Sequence, residues 1–226
     1  MKHSALFFFF LLLQSASWAQ DYLQPENSAY FDTQLDYRVT VGKVLGRELP
    51  YDLPKVIVLP SFHKEYIVGI APEANGCAVV LGRADLLLWT YEVASSEPVR
   101  SRALLRDYPD DPLDVTVTVQ RRSTTQTLCD RIASVWESAL LQTRYSNSCS
   151  LDQSCTVVTD GVSYHFSTWV LGIGRITGKT QTPNAESPPW LLTSLVHTMR
   201  RFAEADVQIG ARELEQALER VENVLE

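Results

Sequence analysis

Short apolar runs, many of them rich in β-branched residues, recur along the chain as far as Thr180 and predict strands. Turn-forming residues bound most of these runs, and Val115–Val119 alternates between apolar and polar positions, as in a strand with one buried face. Leu86–Val93 is equally compatible with a strand or a helical turn. The predicted strands are Tyr37–Val41, Lys55–Leu59, Tyr66–Ala71, Cys77–Leu81, Val115–Val119, Cys155–Val158, Ser163–Val170 and an extension over Leu171–Thr180.

Two dipeptides predict tight hairpins between these strands. Asn75-Gly76 separates Tyr66–Ala71 from Cys77–Leu81, and Asp160-Gly161 separates Cys155–Val158 from Ser163–Val170. Both residue pairs favour the left-handed backbone of two-residue hairpin loops. The spacing therefore predicts an antiparallel sheet.

Apolar residues at intervals of three and four predict three helices in the second half of the chain. The first follows Ser123, a residue able to cap a helix, and carries an apolar stripe from Leu128 to Leu140. The second begins at Ser187-Pro188, and the third follows Gly210. Strands dominate the first half, and helices interrupt and close the second, which predicts an α+β fold with an antiparallel sheet packed against an internal helix and two C-terminal helices.

The N-terminus has the layout of a secretory signal. Lys2 and His3 precede the apolar run Leu6–Leu13, and Ser17-Trp18-Ala19 places small residues at a cleavage site. Cleavage after Ala19 predicts export to the bacterial periplasm. We therefore divide the chain into a signal peptide (1–19), a polar N-terminal segment (20–50), an α+β globular domain (51–209) and a C-terminal helix (210–226).

The charge balance narrows the classes of partner. Removal of residues 1–19 takes away Lys2 and no acid, which leaves 27 acidic against 19 basic residues and a net charge of −8. This balance argues against nucleic acid, because phosphate binding needs a basic face. It also gives no help in docking to anionic lipid, so we expect no membrane association after processing. A protein partner in the periplasm is the expectation that remains.

All four cysteines follow the signal peptide. An even number of cysteines in an exported chain predicts two disulfides, although zinc binding is the alternative and three pairings are possible. The short polar loop between Cys149 and Cys155 favours that pair and leaves Cys77 with Cys129.

The sequence offers one candidate surface site. Ser61, His63 and Glu65 would share a face if the preceding strand continued, and His165 could join them. A hydroxyl, an imidazole and a carboxylate invite a hydrolase interpretation, but neighbours along one strand run parallel and do not converge on a relay. His63, His165 and Glu65 could likewise form a metal site only if the fold brought them together. We therefore expect a solvated strand edge and assign no catalytic residue, cofactor or metal, and we expect His197 to have a packing role.

Two short motifs resemble a set of uncharacterised exported proteins of Gram-negative bacteria. They are Pro60-Ser61-Phe62-x-x-Glu65 and Asp160-Gly161-x-x-Tyr164-x-Phe166, and the helix with Trp136 and Leu140 also fits. The resemblance spans roughly residues 55–205. It implies an exported single domain and carries over no functional residue.

Two hypotheses about function follow. The first is a non-enzymatic periplasmic binding or inhibitor module, such as an immunity-type protein against an envelope-targeted toxin, because small acidic inhibitors often meet basic enzymes. The second is an envelope hydrolase using His63 and His165 with Glu65 or Asp160. A homodimer would follow if the coiled-coil-like seam of the last helix, from Ala211 to Leu225, met a second copy instead of this protein's own core.

Overall fold

The computed structural model describes residues 22–25, 35–49, 52–96, 105–144, 161–204 and 209–225. Short 3₁₀ turns occupy Gly46–Glu48 and Pro112–Asp114. The helices and strands, in chain order, are α1 (Leu35–Leu45), β1 (Lys55–Pro60), β2 (Tyr66–Glu73), β3 (Gly76–Ala84), α2 (Trp89–Ser96), β4 (Val117–Thr124), α3 (Gln126–Leu141), β5 (Val162–Val170), β6 (Gly174–Gln181), α4 (Pro188–Ala203) and α5 (Ala211–Leu225).

The six strands form one antiparallel sheet in the order β4-β3-β2-β1-β5-β6. The strands β1 to β4 follow one another as a meander, and β5 then returns to pair with β1, so that Val58 lies opposite both Tyr66 and Tyr164. On the edge of β6 that faces away from β5, Lys179 and Gln24 exchange two backbone hydrogen bonds of 2.8 and 2.7 Å. Together with the helices, this sheet confirms the predicted α+β class.

The first face of the sheet packs against α3 and α4, and α5 packs on those two helices. The predicted stripe of α3 is confirmed, since all seven of its apolar positions from Leu128 to Leu140 are buried. A disulfide joins Cys77 at the start of β3 to Cys129 in α3, with 6.5 Å between the two Cα atoms, which confirms that pairing. Cys149 and Cys155 lie outside the described residues.

The seam of α5 is buried within this same core. Leu214 and Leu218 have no exposed surface and Val221 is buried, against α3 and α4, while Leu225 is partly buried against the same cluster. The apolar spacing that could have served a second copy is thus used inside the chain. Within the described ranges, no helix has the length and apolar character needed to cross a bilayer.

The second face of the sheet packs against α1, α2 and the 3₁₀ turn after α1. The strand predicted over Tyr37–Val41 is wrong, because these residues belong to α1. Tyr37, Val41, Val44 and Leu45 are buried at helical spacing, whereas Val39, which a strand would have placed with Tyr37 and Val41, is 44% exposed. Leu86–Val93 resolves into a turn followed by the start of α2.

The predicted hairpins have different outcomes. Strands β2 and β3 form the expected hairpin, although its loop is Ala74-Asn75 and Gly76 already pairs with Glu73. The other hairpin is predicted at Asp160-Gly161, between Cys155–Val158 and β5, and in the structure β5 pairs with β1 on one side and β6 on the other. The segment Cys155–Val158 lies outside the described residues.

The helix starts also differ in outcome. Ser187 caps α4 as predicted, since its hydroxyl oxygen accepts the Trp190 N–H at 3.3 Å. Ser123 does not cap α3, because it is still in β4 and its hydroxyl donates to Glu73 at 2.7 Å. Thr125 takes the capping position and accepts the Leu128 N–H at 3.3 Å.

Candidate functional site

The structure separates the predicted surface residues at the end of β1. The strand stops at Pro60, and a turn replaces the extended backbone on which a shared face depended. The hydroxyl of Ser61 donates to the Gly161 carbonyl at 2.8 Å and accepts the Gly161 N–H at 3.1 Å. Ser61 therefore joins the end of β1 to the start of β5.

Glu65 is fully buried and has a structural role. Its carboxylate accepts hydrogen bonds from the Tyr37 hydroxyl at 2.6 Å and from the backbone N–H groups of Leu88 and Trp89, both at 2.9 Å. These two N–H groups lie at the start of α2, where a negative charge is favourable. Burial and the neighbouring Glu65 charge both raise the pKa of Tyr37, which keeps its hydroxyl protonated as a donor. The expectation of a solvated strand edge is thus wrong for Glu65.

The two predicted histidines lie at different positions along the sheet. His63 is exposed in the turn after β1. His165 lies within β5, opposite Ile57 and Lys179, and is thus three residues, about 10 Å, inside the end of the β1–β5 pair. Asp160 lies outside the described residues. Over the residues that the structure describes, no group of three His, Cys, Asp or Glu side chains is placed to hold a metal ion.

A second polar group, which sequence reasoning missed, lies between the first face and α4. We call it the tyrosine–histidine cluster. Val58 of β1 separates its two tyrosines. His197 and Arg200 of α4 and Glu204, which follows the last residue of α4, are spaced at three and four residues, so they share one side of the helix end. That spacing was the available signal. The members are Tyr66, Tyr164, His197, Arg200, Glu204 and Arg83.

His197 is hydrogen-bonded to Tyr164. Its Nε2 lies 2.8 Å from the Tyr164 hydroxyl. Burial, followed by the charge of Arg200, lowers the pKa of His197, while burial raises that of Tyr164. The direction of this hydrogen bond depends on the tautomer: the phenol donates when Nδ1 carries the imidazole proton and accepts when Nε2 carries it.

Glu204 holds the two arginines of this cluster. Arg200 donates to its carboxylate at 2.9 Å, and Arg83 forms an ion pair with the same oxygen. Burial acts to raise the pKa of Glu204, but the hydrogen bonds and charges of Arg200 and Arg83 outweigh it and keep the pKa below its ordinary value. Arg200 also lies 4.9 Å above the ring of Tyr66. These contacts fasten the end of α4 to β2 and β3.

An acidic surface lies on the outer side of α3 and α5. Glu222 forms a bidentate pair with Arg131, at 2.9 and 2.6 Å. The hydrogen bond to Glu222 is the main cause that raises the pKa of Arg131, and the charges of Glu222, Glu219 and Glu215 add to it. Of the three carboxylates, only Glu222 contacts the guanidinium, and Glu215 and Glu219 are exposed one helical turn apart on the same helix. We call these four residues the acidic helix face.

Comparison with known proteins adds no relative. No family model, no curated protein and no solved structure matches the chain. The resemblance carried by the two short motifs therefore stays a prediction.

Proposed function

We propose that this protein is an exported binding module of the inhibitor or immunity type, acting in the periplasm on a basic protein partner. The acidic helix face carries the proposal. It is displayed on two packed helices and keeps an excess of negative charge after Arg131 is paired. Complementary charge of this kind speeds encounter between proteins and suppresses wrong partners.

One further observation supports binding over hydrolysis, and another supports export. Glu65, one of the two carboxylates that a hydrolytic group with His63 and His165 could use, is engaged by three donors in the interior. The other, Asp160, lies outside the described residues. The disulfide between Cys77 and Cys129 fits an oxidising compartment, as the signal peptide predicts.

A charge-reversal pair tests the proposal. The test variant, Glu215→Lys, Glu219→Lys, reverses two charges on the acidic helix face. The control variant, Asp107→Lys, Asp110→Lys, makes the same change in net charge at an exposed loop. Immobilised parent protein is incubated with periplasmic extract, captured proteins are identified by mass spectrometry, and binding of the purified candidate is measured.

We expect a basic partner whose binding weakens about tenfold or more in the first variant and in high salt, and changes little in the control. Equal loss in both variants, or no loss in either, would contradict a specific acidic interface.

The alternative, an envelope hydrolase that uses His63 and His165, is tested by two substitutions. We expect His63→Ala and His165→Ala to retain the fold and the binding of the partner. If the parent hydrolyses envelope material and either variant loses this activity with its fold intact, the hydrolase hypothesis would replace the binding proposal.

A further inference from the structure

The β5–β6 hairpin ends in an exposed apolar tip. Val170 pairs with Gly174, so Leu171, Gly172 and Ile173 form the loop between the strands. Leu171 is 95% exposed and Ile173 is 62% exposed. Gly172 and Gly174 have φ angles of 82° and 99°, and nothing lies within 4 Å of a Cβ built on either residue. The loop thus projects away from the domain.

The hairpin differs in charge from the rest of the molecule. The chain holds 27 acidic residues among 226, yet Val162–Gln181 contains none and carries Arg175 and Lys179. Arg175 is exposed and lies opposite Trp169, which is itself 47% exposed. The net negative charge of the whole chain, which argues against binding to anionic lipid, therefore does not describe this end of the sheet.

We propose that the tip of the β5–β6 hairpin inserts into the surface of an anionic phospholipid bilayer. Trp169 and Arg175 lie two strand positions below Leu171 and Ile173, about 7 Å along the strand. Interfacial protein segments bury their apolar side by about 5–10 Å. When Leu171 and Ile173 reach the acyl chains, the indole and the guanidinium thus lie at the level of the headgroups, the region that both side chains prefer.

The chemistry of the tip favours lipid over a protein pocket. Two aliphatic side chains on a convex loop have no polar group that would specify a partner, whereas a bilayer needs only apolar depth and a cation at the headgroups. A lipid surface can be contacted without a spanning helix, so this inference is independent of the partner proposed for the acidic helix face.

Vesicle binding of the chain from Gln20 onward tests the proposal, since this chain holds every described residue and lacks the apolar N-terminus. Flotation is measured with vesicles of phosphatidylcholine, with and without phosphatidylglycerol. The test variant is Leu171→Asp, Ile173→Asp. The control is Phe62→Asp, which changes a 75% exposed residue beyond the opposite end of β1.

We expect the parent and Phe62→Asp to float with vesicles that contain phosphatidylglycerol, and the double variant to bind at least about tenfold more weakly. Arg175→Gln should weaken only the part that depends on the anionic lipid and is screened by salt. Circular dichroism checks that all variants retain their fold.

The proposal is overturned if the parent does not float, or if Phe62→Asp loses as much binding as the double variant. It is also overturned if the double variant floats as well as the parent but no longer binds a protein partner or a second copy, because the tip would then be a protein-binding surface.

Discussion

The two faces of the sheet are covered in different ways. On the first face, three amphipathic helices bury long rows of apolar side chains, and a disulfide fastens one of them to β3. The second face has a smaller core, and the carboxylate of Glu65 and the ammonium of Lys55 are buried beside it. Apolar packing therefore stabilises both faces, with the tyrosine–histidine cluster beside α4 on the first, whereas the second face adds directed hydrogen bonds to two buried charged side chains.

Removal of the disulfide should give the largest effect. The bridge closes a sequence separation of 52 residues, which in the chain-entropy model contributes about 4 kcal/mol. We expect the variant Cys77→Ala, Cys129→Ala to lose about that much free energy of unfolding, measured by urea denaturation. The matched variant Cys149→Ala, Cys155→Ala opens only a short predicted loop and should lose less, about 2–3 kcal/mol. A smaller loss in the first variant than in the second would contradict this order.

Truncation of a side chain in the core of the first face should give the second largest loss of stability. Leu195 in α4 is fully buried, so Leu195→Ala removes apolar contacts and leaves a cavity, at a cost of about 3 kcal/mol. The control Leu113→Ala changes a residue that is 38% exposed and should cost well below about 1 kcal/mol. Equal losses in thermal or urea denaturation would mean that the helices do not carry the packing described for this face.

The second face should respond to a change in hydrogen bonding at constant shape. Glu65→Gln puts an amide NH₂ where one carboxylate oxygen accepts a backbone N–H, and we expect a loss of about 2 kcal/mol. Tyr37→Phe removes one donor and should cost about 1 kcal/mol. Urea denaturation measures both. If Glu65→Gln proved neutral, the carboxylate would not be what holds α2.

The pH dependence of stability should show the buried amine of Lys55. Its Nζ donates to the Leu49 carbonyl at 3.2 Å. Burial, aided by the charge of Arg175 and opposed by Asp52, lowers its pKa from 10.5 to about 8. Between these two values the unfolded chain holds a proton that the folded protein has released, so the free energy of unfolding from this group rises with pH.

The rise due to Lys55 can be measured only up to about pH 10. Tyr37, Tyr66 and Tyr164 have raised pKa values in the folded protein. Above that pH the unfolded chain loses tyrosine protons that the folded protein keeps, so the free energy of unfolding falls with pH. We expect the parent to gain stability from about pH 8 to pH 10, and Lys55→Met to lack this gain. Parallel curves for the two proteins in urea titrations would contradict a lowered pKa for Lys55.

The helices of the first face could be predicted because their signals are local. In α3 and α4, the apolar residues recur at three and four over four turns, a pattern that no strand would produce. In α1 the same reasoning fails. Tyr37, Val39 and Val41 alternate as in a strand, and only the packing of Val44 and Leu45 on the sheet selects the helix.

The site was harder to predict because it depends on pairing distant in sequence. Ser61 and Gly161 meet only because β5 lies next to β1, and the Asp-Gly dipeptide gave no sign of that partner. The burial of Glu65 depends on two N–H groups at the start of α2. Residue types and local spacing indicated that both side chains could do chemistry, but the tertiary fold gives them structural roles.

The insertion of β5 beside β1 has a consequence for the order in which the chain folds. Lys55 pairs with Ser167, so the centre of the sheet closes only after more than a hundred intervening residues are present. The meander from β1 to β4 and the Cys77–Cys129 bridge need only residues up to α3. A chain that crosses a membrane from its N-terminus would therefore hold β1 as an open edge until β5 arrives, and an open edge can pair with other chains. We expect this interval, and not the assembly of the meander, to be the stage at which a slowly translocated chain is most prone to aggregate.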